Sequence, residues 1–462
     1  MQLVISSPSK NALDLSEIRA RVAFFLNRKD YLSCMRVSRD WFYDFAPPVW
    51  HTIDFAKDAT AFSKVTPEIL DKYGSFISEA LNTSSAEHLQ LLQHSKVDSL
   101  KTIKSQLVHS CMHHLMLSDT FRRSQGSLQS LEIQANPPNP DTPAEQRRHG
   151  QHFLLAMDAI SSPVPLSPPG TGGLRILKLS YISITRETFS GFLKRCPGLQ
   201  ELNLHRVLLL NHRPSISLFT GSRLRHLVAS LAQVWEVDPN DTSAPSLLVH
   251  FPLLEKWHMP SITKPSNTSL TAIRQEVSQR CPFLKDILFD KDSDTASYLF
   301  AKTFQGLKSC TLPALAISST VLGIVTHRNS LTSVSVMKTT DAFVHFASTL
   351  QWLYMIPKLC QHLQVLDLGS FYWNIDEVEG TEWACTGLQE LRVGFYGLDA
   401  PQDIDGCLKK LCITRRSGGA VVIRPLEMNT IITRVIQHLL QFKELRTVCL
   451  GTKDYYLPHS SA

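Results

Sequence analysis

Apolar residues along most of this chain fall into one short recurring phrase. Leu-x-x-Leu-x-Leu, with conservative exchanges, returns from residue 128 toward the C-terminus. Its anchors are Leu128/Leu131/Ile133, Leu174/Leu177/Leu179, Leu199/Leu202/Leu204 and Leu224/Leu227/Ala229. Next come Leu254/Trp257/Met259, Leu284/Ile287/Phe289, Leu307/Cys310/Leu312 and Leu331/Val334/Val336. Leu363/Leu366/Leu368, Leu388/Leu391/Val393, Leu408/Leu411/Ile413 and Leu445/Val448/Leu450 complete the series. The mean step is roughly 29 residues, irregularly spaced. Alternation inside each phrase predicts a short strand with one buried face.

Stripes at helical spacing lie between the strands. Leu270, Ile273, Val277 and Cys281 form one, Phe189, Phe192, Leu193 and Cys196 another, and Ile432, Val435, Ile436, Leu439 and Leu440 a third. A strand–turn–helix unit cannot bury its own apolar face, whereas stacked neighbours bury each other's. The pattern therefore predicts an α/β solenoid, curved, with parallel strands on the concave side and helices on the convex side.

The cysteines keep the same frame. Cys196, Cys281, Cys360 and Cys385 each precede the first leucine of a phrase by three residues, as in "CPGLQEL" and "CQHLQVL". A small side chain at a helix end buries easily there. Zinc needs ligands a few residues apart, so these thiols are read as free and no metal or cofactor is expected. The array resembles the leucine-rich repeats of the cysteine-containing and ribonuclease-inhibitor-like classes. It departs from them where an asparagine is due after the last leucine: Asn136 fits, but Ile182, Val207, Ile262, Asp292, Thr339 and Phe371 stand at the equivalent places.

Two segments interrupt the array, which is assigned to residues 128–455. Residues 134–173 are rich in proline and end in Gly170-Thr171-Gly172-Gly173, with one helix expected near 145–160. Residues 236–248 form a shorter insertion. Each reads as a spacer, with a binding loop as the alternative.

The first residues carry no repeat. Asp14 followed by Glu17 suits a helix start, and Ile18, Val22, Phe25 and Leu26 make its apolar face. Asp30 is expected to cap a second helix through Leu32, Cys34, Val37, Trp41 and Phe45, stopped by Pro47-Pro48. A helical module of this size, residues 11–55, cannot bury so many large apolar groups alone. The stretch "LDLSEIRARVAFFLNRKDYLSCMRVSRDWFYDFAPPVWHTIDF" resembles an F-box, in the order Asp30, Cys34, Val37, Trp41, Trp50. That resemblance implies docking on the Skp-type adaptor of a cullin–RING ubiquitin ligase. It implies that Leu15, Ser16, Ile18, Val22, Leu26, Leu32, Val37 and Trp41 serve as core and adaptor-facing residues. Ser16 stands where the family usually has proline.

Residues 56–127 are read as a helical connector with degenerate first repeats and no flexible linker. Thr66-Pro67-Glu68 starts a helix, and Val97/Leu100 and Met112/Leu115/Leu117 look like worn copies of the phrase.

Composition narrows the function. The chain has 462 residues with a net charge of +6, and its basic residues are scattered, so no nucleic-acid partner is expected. Neither a membrane-spanning stretch nor an export signal is apparent, which places the protein in the cytosol or nucleus. Phosphate-binding and hydrolase motifs are absent. His109, Cys111, His113 and His114 are too strand-like in setting to hold zinc together. A binding surface is left. Between and after the leucines stand Lys178, Glu201, Asn203, His205, Lys256, His258, Asp286, Asp290, Asp367, Glu390, Arg392 and Lys410. Their mixed signs suit a protein target. The expectation is a non-catalytic substrate-recognition subunit of an SCF-type ubiquitin ligase. The alternative is a leucine-rich-repeat scaffold or inhibitor whose helical module only caps the array.

Overall fold

The computed structural model describes residues 15–57, 65–94, 96–107, 111–124, 126–135, 173–210, 223–235, 246–260, 270–290, 294–313, 318–337, 353–378, 381–395, 434–435, 438–439, 441–450 and 453–456. Tertiary contacts divide the chain into two units, Met1–Arg223 and Leu224–Ala462. Each is mixed α/β and built on a ladder of parallel strands.

Three helices open the first unit: α1 (Ser16–Ala23), α2 (Arg28–Cys34) and α3 (Arg39–Trp50). α1 starts behind Leu15 without a side-chain cap; Asp14 lies outside the described residues. Asn27, not Asp30, caps α2. Its side chain accepts the N–H groups of Lys29 and Asp30, and Asp30 accepts the Asn27 N–H in return. Asp30 thus closes a capping box from the third helical position.

The long second helix expected from the apolar stripe is two helices. The chain leaves the helix after Cys34, and Ser38 Oγ accepts the Trp41 N–H to begin α3. α3 then passes through Pro47 and Pro48 instead of stopping. Proline removes a donor and crowds the preceding turn, but packing holds this last turn. Val49 is buried and Trp50 stacks on Tyr73. Inside the module, buried Arg19 is ion-paired with Asp44 across α1 and α3. The Tyr31 hydroxyl donates to the Ala23 carbonyl, and its ring packs on Phe45.

A single residue, His51, separates α3 from β1 (Thr52–Asp54), and its carbonyl accepts the N–H groups of both Ser78 and Glu79 at 2.9 Å. α4 (Pro67–Tyr73) begins on its proline, as Thr66-Pro67-Glu68 predicts. β2 (Glu79–Thr83), α5 (Ala86–Leu92), β3 (Thr102–Leu107), α6 (Cys111–Ser124) and β4 (Ser130–Ala135) follow. After them come β5 (Ile176–Ser180), β6 (Ser183–Thr185), α7 (Arg186–Arg195), β7 (Glu201–His205) and β8 (Leu208–Leu210). The ladder runs β1-β2-β3-β4-β5-β7, all parallel, while β6 and β8 pair separately. Met112, Leu115 and Leu117, expected as a worn strand phrase, lie in α6. Leu117 and Phe121, one helical turn apart, are both fully buried there.

In the second unit the strands are β9 (His226–Val228), β10 (Lys256–Met259), β11 (Asp286–Phe289), β12 (Ser309–Pro313), β13 (Ser333–Met337), β14 (Val365–Trp373), β15 (Glu390–Phe395), β16 (Thr447–Leu450) and β17 (Lys453–Tyr456). They lie in chain order, parallel up to β16, with β17 antiparallel at the end. Leu227, Trp257, Ile287, Cys310, Val334, Leu366, Leu391 and Val448 oppose one another rung by rung. All eight are buried. The phrase at Leu408/Leu411/Ile413 lies outside the described residues, as do most of 134–173 and 236–248. The helices between these strands include α8 (Leu231–Trp235), α9 (Leu270–Arg280), α10 (Asp294–Lys302) and α11 (Ser318–His327), of which α9 packs on α10 and α10 on α11.

One hydrogen-bond device repeats. The carbonyl of the residue immediately before a strand accepts two N–H groups from the following rung: Glu255 from Lys285 and Asp286, Lys285 from Lys308 and Ser309, Lys308 from Thr332 and Ser333. The recurring cysteines close the helices that return to these strands. The N–H of Cys196, Cys281 and Cys360 bonds to the carbonyl four residues back, and their own carbonyls accept from the leucine three ahead. Burial pushes the thiols of Cys281, Cys360 and Cys385 up to about 12, so they stay neutral. Among the described residues, no cluster of three His, Cys, Asp or Glu could hold a metal ion, and no helix is long and apolar enough to cross a membrane.

Candidate functional site

Two surfaces stand out, one on the N-terminal helices and one on the strands. The helical module leaves large apolar groups in solvent: Leu15 is 45% exposed, Leu32 46%, Val37 62%, Tyr43 67%, Phe25 83% and Phe24 84%. Burying a side chain of this size is worth roughly 1.5–3 kcal/mol, so folding of the module alone leaves much of that gain unused. The groups come from the residue just before α1, the turn after it, α2, the turn after that, and α3.

Of the residues singled out from the sequence, Leu15, Ser16, Leu32 and Val37 are exposed, whereas Ile18, Val22, Leu26 and Trp41 are half-buried. Trp41 packs against Phe45 with ring centroids 5.4 Å apart, which makes it partly a core residue. Phe24 and Tyr43 were missed. Phe24 meets Phe25 edge to face, just beyond the end of α1. Two adjacent phenylalanines at a helix end give no sign in sequence of which one turns inward; here neither does.

The strand surface carries the polar positions of the repeat. In the first unit, β5 places Lys178 opposite Asn203 of β7, with Glu201 and His205 on either side. Lys178 Nζ lies 3.2 Å from the Glu201 carboxylate. One rung back, Lys104 of β3 reaches Glu132 of β4 at 3.1 Å. The Asn203 amide oxygen is buried with no hydrogen-bond partner. Just past the strand ends, the Tyr181 ring meets the His205 ring edge-on at 5.5 Å, and the Arg206 guanidinium carbon lies 5.5 Å from the centre of the Tyr181 ring.

In the second unit, Lys256 of β10 opposes Asp286 of β11, and the His258 ring nitrogen Nε2 lies 2.7 Å from the Asp290 carboxylate. Before these strands, Glu255 lies between Arg225 at 3.4 Å and Lys285 at 2.6 Å. The hydrogen bond from Lys285 holds the Glu255 carboxyl below its usual range. Asp367 of β14 and Glu390 and Arg392 of β15 form another group, with Asp367 opposite Arg392. Lys410 lies outside the described residues, as does His109; of the side chains of Cys111, His113 and His114 the description extends to none.

The strand residues are therefore brought together in three groups rather than one, and Lys104, Glu132, Tyr181 and Arg206 belong with the first. Lys104 and Glu132 occupy the same phase as Lys178, so the repeat pattern held that signal. Tyr181 and Arg206 sit beyond the leucine phrase and had none. No protein-family model matches the chain, and no curated protein matches it.

Proposed function

We propose that this chain is the target-recognition subunit of an SCF-type ubiquitin ligase. The N-terminal helices act as an F-box that docks the Skp-type adaptor, and the strand array, read as leucine-rich repeats curved with the strands on the concave side, holds a protein target. Catalysis is by proximity: a target lysine is kept near the charged ubiquitin-conjugating enzyme of the cullin–RING assembly.

One observation carries this reading. The module that resembles an F-box keeps Leu15, Phe24, Phe25, Leu32, Val37 and Tyr43 unburied, which is the surface a separate protein would cover. The join at His51 supports it as well, because a docked adaptor would be held firmly with respect to the first strands. The scaffold reading, in which the module merely caps the array, has its own support in the packing of α3 on Tyr73. That reading expects Leu15 and Ile18 to be covered, whereas Leu15 is 45% exposed and Ile18 half-buried.

Reconstitution with a Skp-type adaptor tests the proposal. A stable complex is expected with the native chain and none with Val37→Asp or Leu32→Asp. Both residues are exposed, so the variants should keep the native unfolding midpoint. Absence of binding by the native chain, or full binding by both variants, removes the ligase reading.

A further inference from the structure

Besides Asn82 near the end of β2, with a φ of 57°, two larger residues of the first unit are left-handed, each just after a strand. Tyr181, after β5, has a φ of 60°, and Arg206, after β7, has a φ of 52°. Glycine and asparagine adopt this backbone readily, and larger residues rarely do. Arginine and tyrosine thus stand where folding alone favours something smaller.

Their side chains converge. Arg206 lies over the Tyr181 ring, His205 stands edge-on to that ring, and the Tyr181 N–H donates to the His205 carbonyl at 3.1 Å. The neighbouring strand-face cations are neutralised, Lys104 by Glu132 and Lys178 by Glu201. No described carboxylate pairs with Arg206, which is exposed. A guanidinium anchored on a ring face is partly ordered before it binds, and its N–H fork matches a pair of anionic oxygens.

We propose that Arg206, with His205 and Tyr181, forms a subsite for a multi-oxygen anion, phosphate or carboxylate, carried by an extended segment of a protein partner. This deepens the reading above and rests on it only in taking the strand face as the surface that holds the target. A nucleic acid fits less well, since Lys104 and Lys178 on the adjoining rungs are already paired with Glu132 and Glu201 and are not free to track a continuous phosphate backbone.

The test uses the full chain without adaptor and three matched peptide pools, randomised around a fixed phosphoserine, aspartate or serine, followed by fluorescence anisotropy. The anionic pools are expected to bind at least ten-fold tighter than the serine pool. Phosphoserine well above aspartate assigns phosphate, and parity between them assigns carboxylate. Arg206→Gly should abolish the preference while leaving the unfolding midpoint equal or higher, because glycine accepts the backbone angle. Arg206→Lys should restore it only in part. Three results overturn the subsite: equal affinity for all pools (including none for any), a native preference in Arg206→Gly, or displacement of the peptides by a single-stranded oligonucleotide at physiological salt. Loss of adaptor capture would leave this measurement untouched, so the two proposals fail separately.

Discussion

The indole of Trp50 lies flat against the phenol ring of Tyr73, with centroids 4.9 Å apart and planes 4° from parallel. Trp50 closes α3 and Tyr73 closes α4, so the stack ties the helical module to the first rungs of the ladder. Lys72 reinforces it, its ammonium 5.1 Å from the Phe42 ring centre and 5.2 Å from that of Tyr73. Trp50→Ala should lower stability by about 2 kcal/mol, less than a fully buried tryptophan would cost, and Trp50→Phe should recover most of it. Denaturant titration reads the difference; a change below about 0.5 kcal/mol in Trp50→Ala would mean that the stack contributes little.

Gly323 of α11 faces Phe300 of α10 so closely that any added Cβ would overlap the ring. In an exposed helix, glycine to alanine stabilises by roughly 1 kcal/mol. Here the sign reverses, and Gly323→Ala should cost about 1–3 kcal/mol through overpacking. Pairing it with Phe300→Leu should return part of the loss, measured as non-additivity in a double-mutant cycle.

Stability should fall as the solution is acidified from neutral. His327 is buried, its Nε2 is 2.9 Å from the Phe300 carbonyl, and desolvation holds its pKa below the ordinary value despite that bond. His88, stacked on Phe55, is shifted in the same direction, again chiefly by desolvation. The unfolded chain then binds more protons than the native one once the pH drops below the unfolded histidine value of about 6.5. The stabilisation is complete above that value and lost as pH descends toward the folded pKa. His327→Gln should flatten this dependence between pH 7 and pH 5; an unchanged slope in thermal or chemical unfolding would count against the assignment.

Thiol reactivity should separate two kinds of cysteine. Cys281, Cys310, Cys360 and Cys385 are buried and their thiols are held neutral by desolvation. Cys34 is only partly covered; burial, followed by the nearby Asp30 charge, raises its pKa. Brief maleimide treatment of the native chain, read by peptide mass, should modify Cys34 first and reach the other four only on unfolding. Adaptor docking on the surface of Leu32 and Val37 should slow the Cys34 reaction.

The strand rows were legible because a parallel strand with a covered inner face keeps leucine-like residues in fixed phase. The buried row from Leu227 to Val448 is that phase made physical. β1 and β2 were harder to see, since Ile53 and Ala80 are isolated anchors without the full phrase. Choosing between Asn27 and Asp30 as the cap depends on local backbone angles that composition does not encode. Passage of α3 through Pro47-Pro48 depends on Tyr73, some twenty residues away. The pairing of Lys104 with Glu132 needed strand register, and the meeting of Tyr181 with Arg206 needed the turn beyond it. Leu32 and Val37 could be picked out as apolar; their exposure could not.

Within each unit a strand bonds only to the rung before it and the rung after it, and the doubly accepting carbonyls at Glu255, Lys285 and Lys308 follow the same rule. Among the described residues the ladder bonds join neighbouring rungs, so damage spreads by adjacency. Heat or denaturant should consume such a molecule from its weakest segment outward, passing through partly zipped forms that a single melting temperature cannot describe.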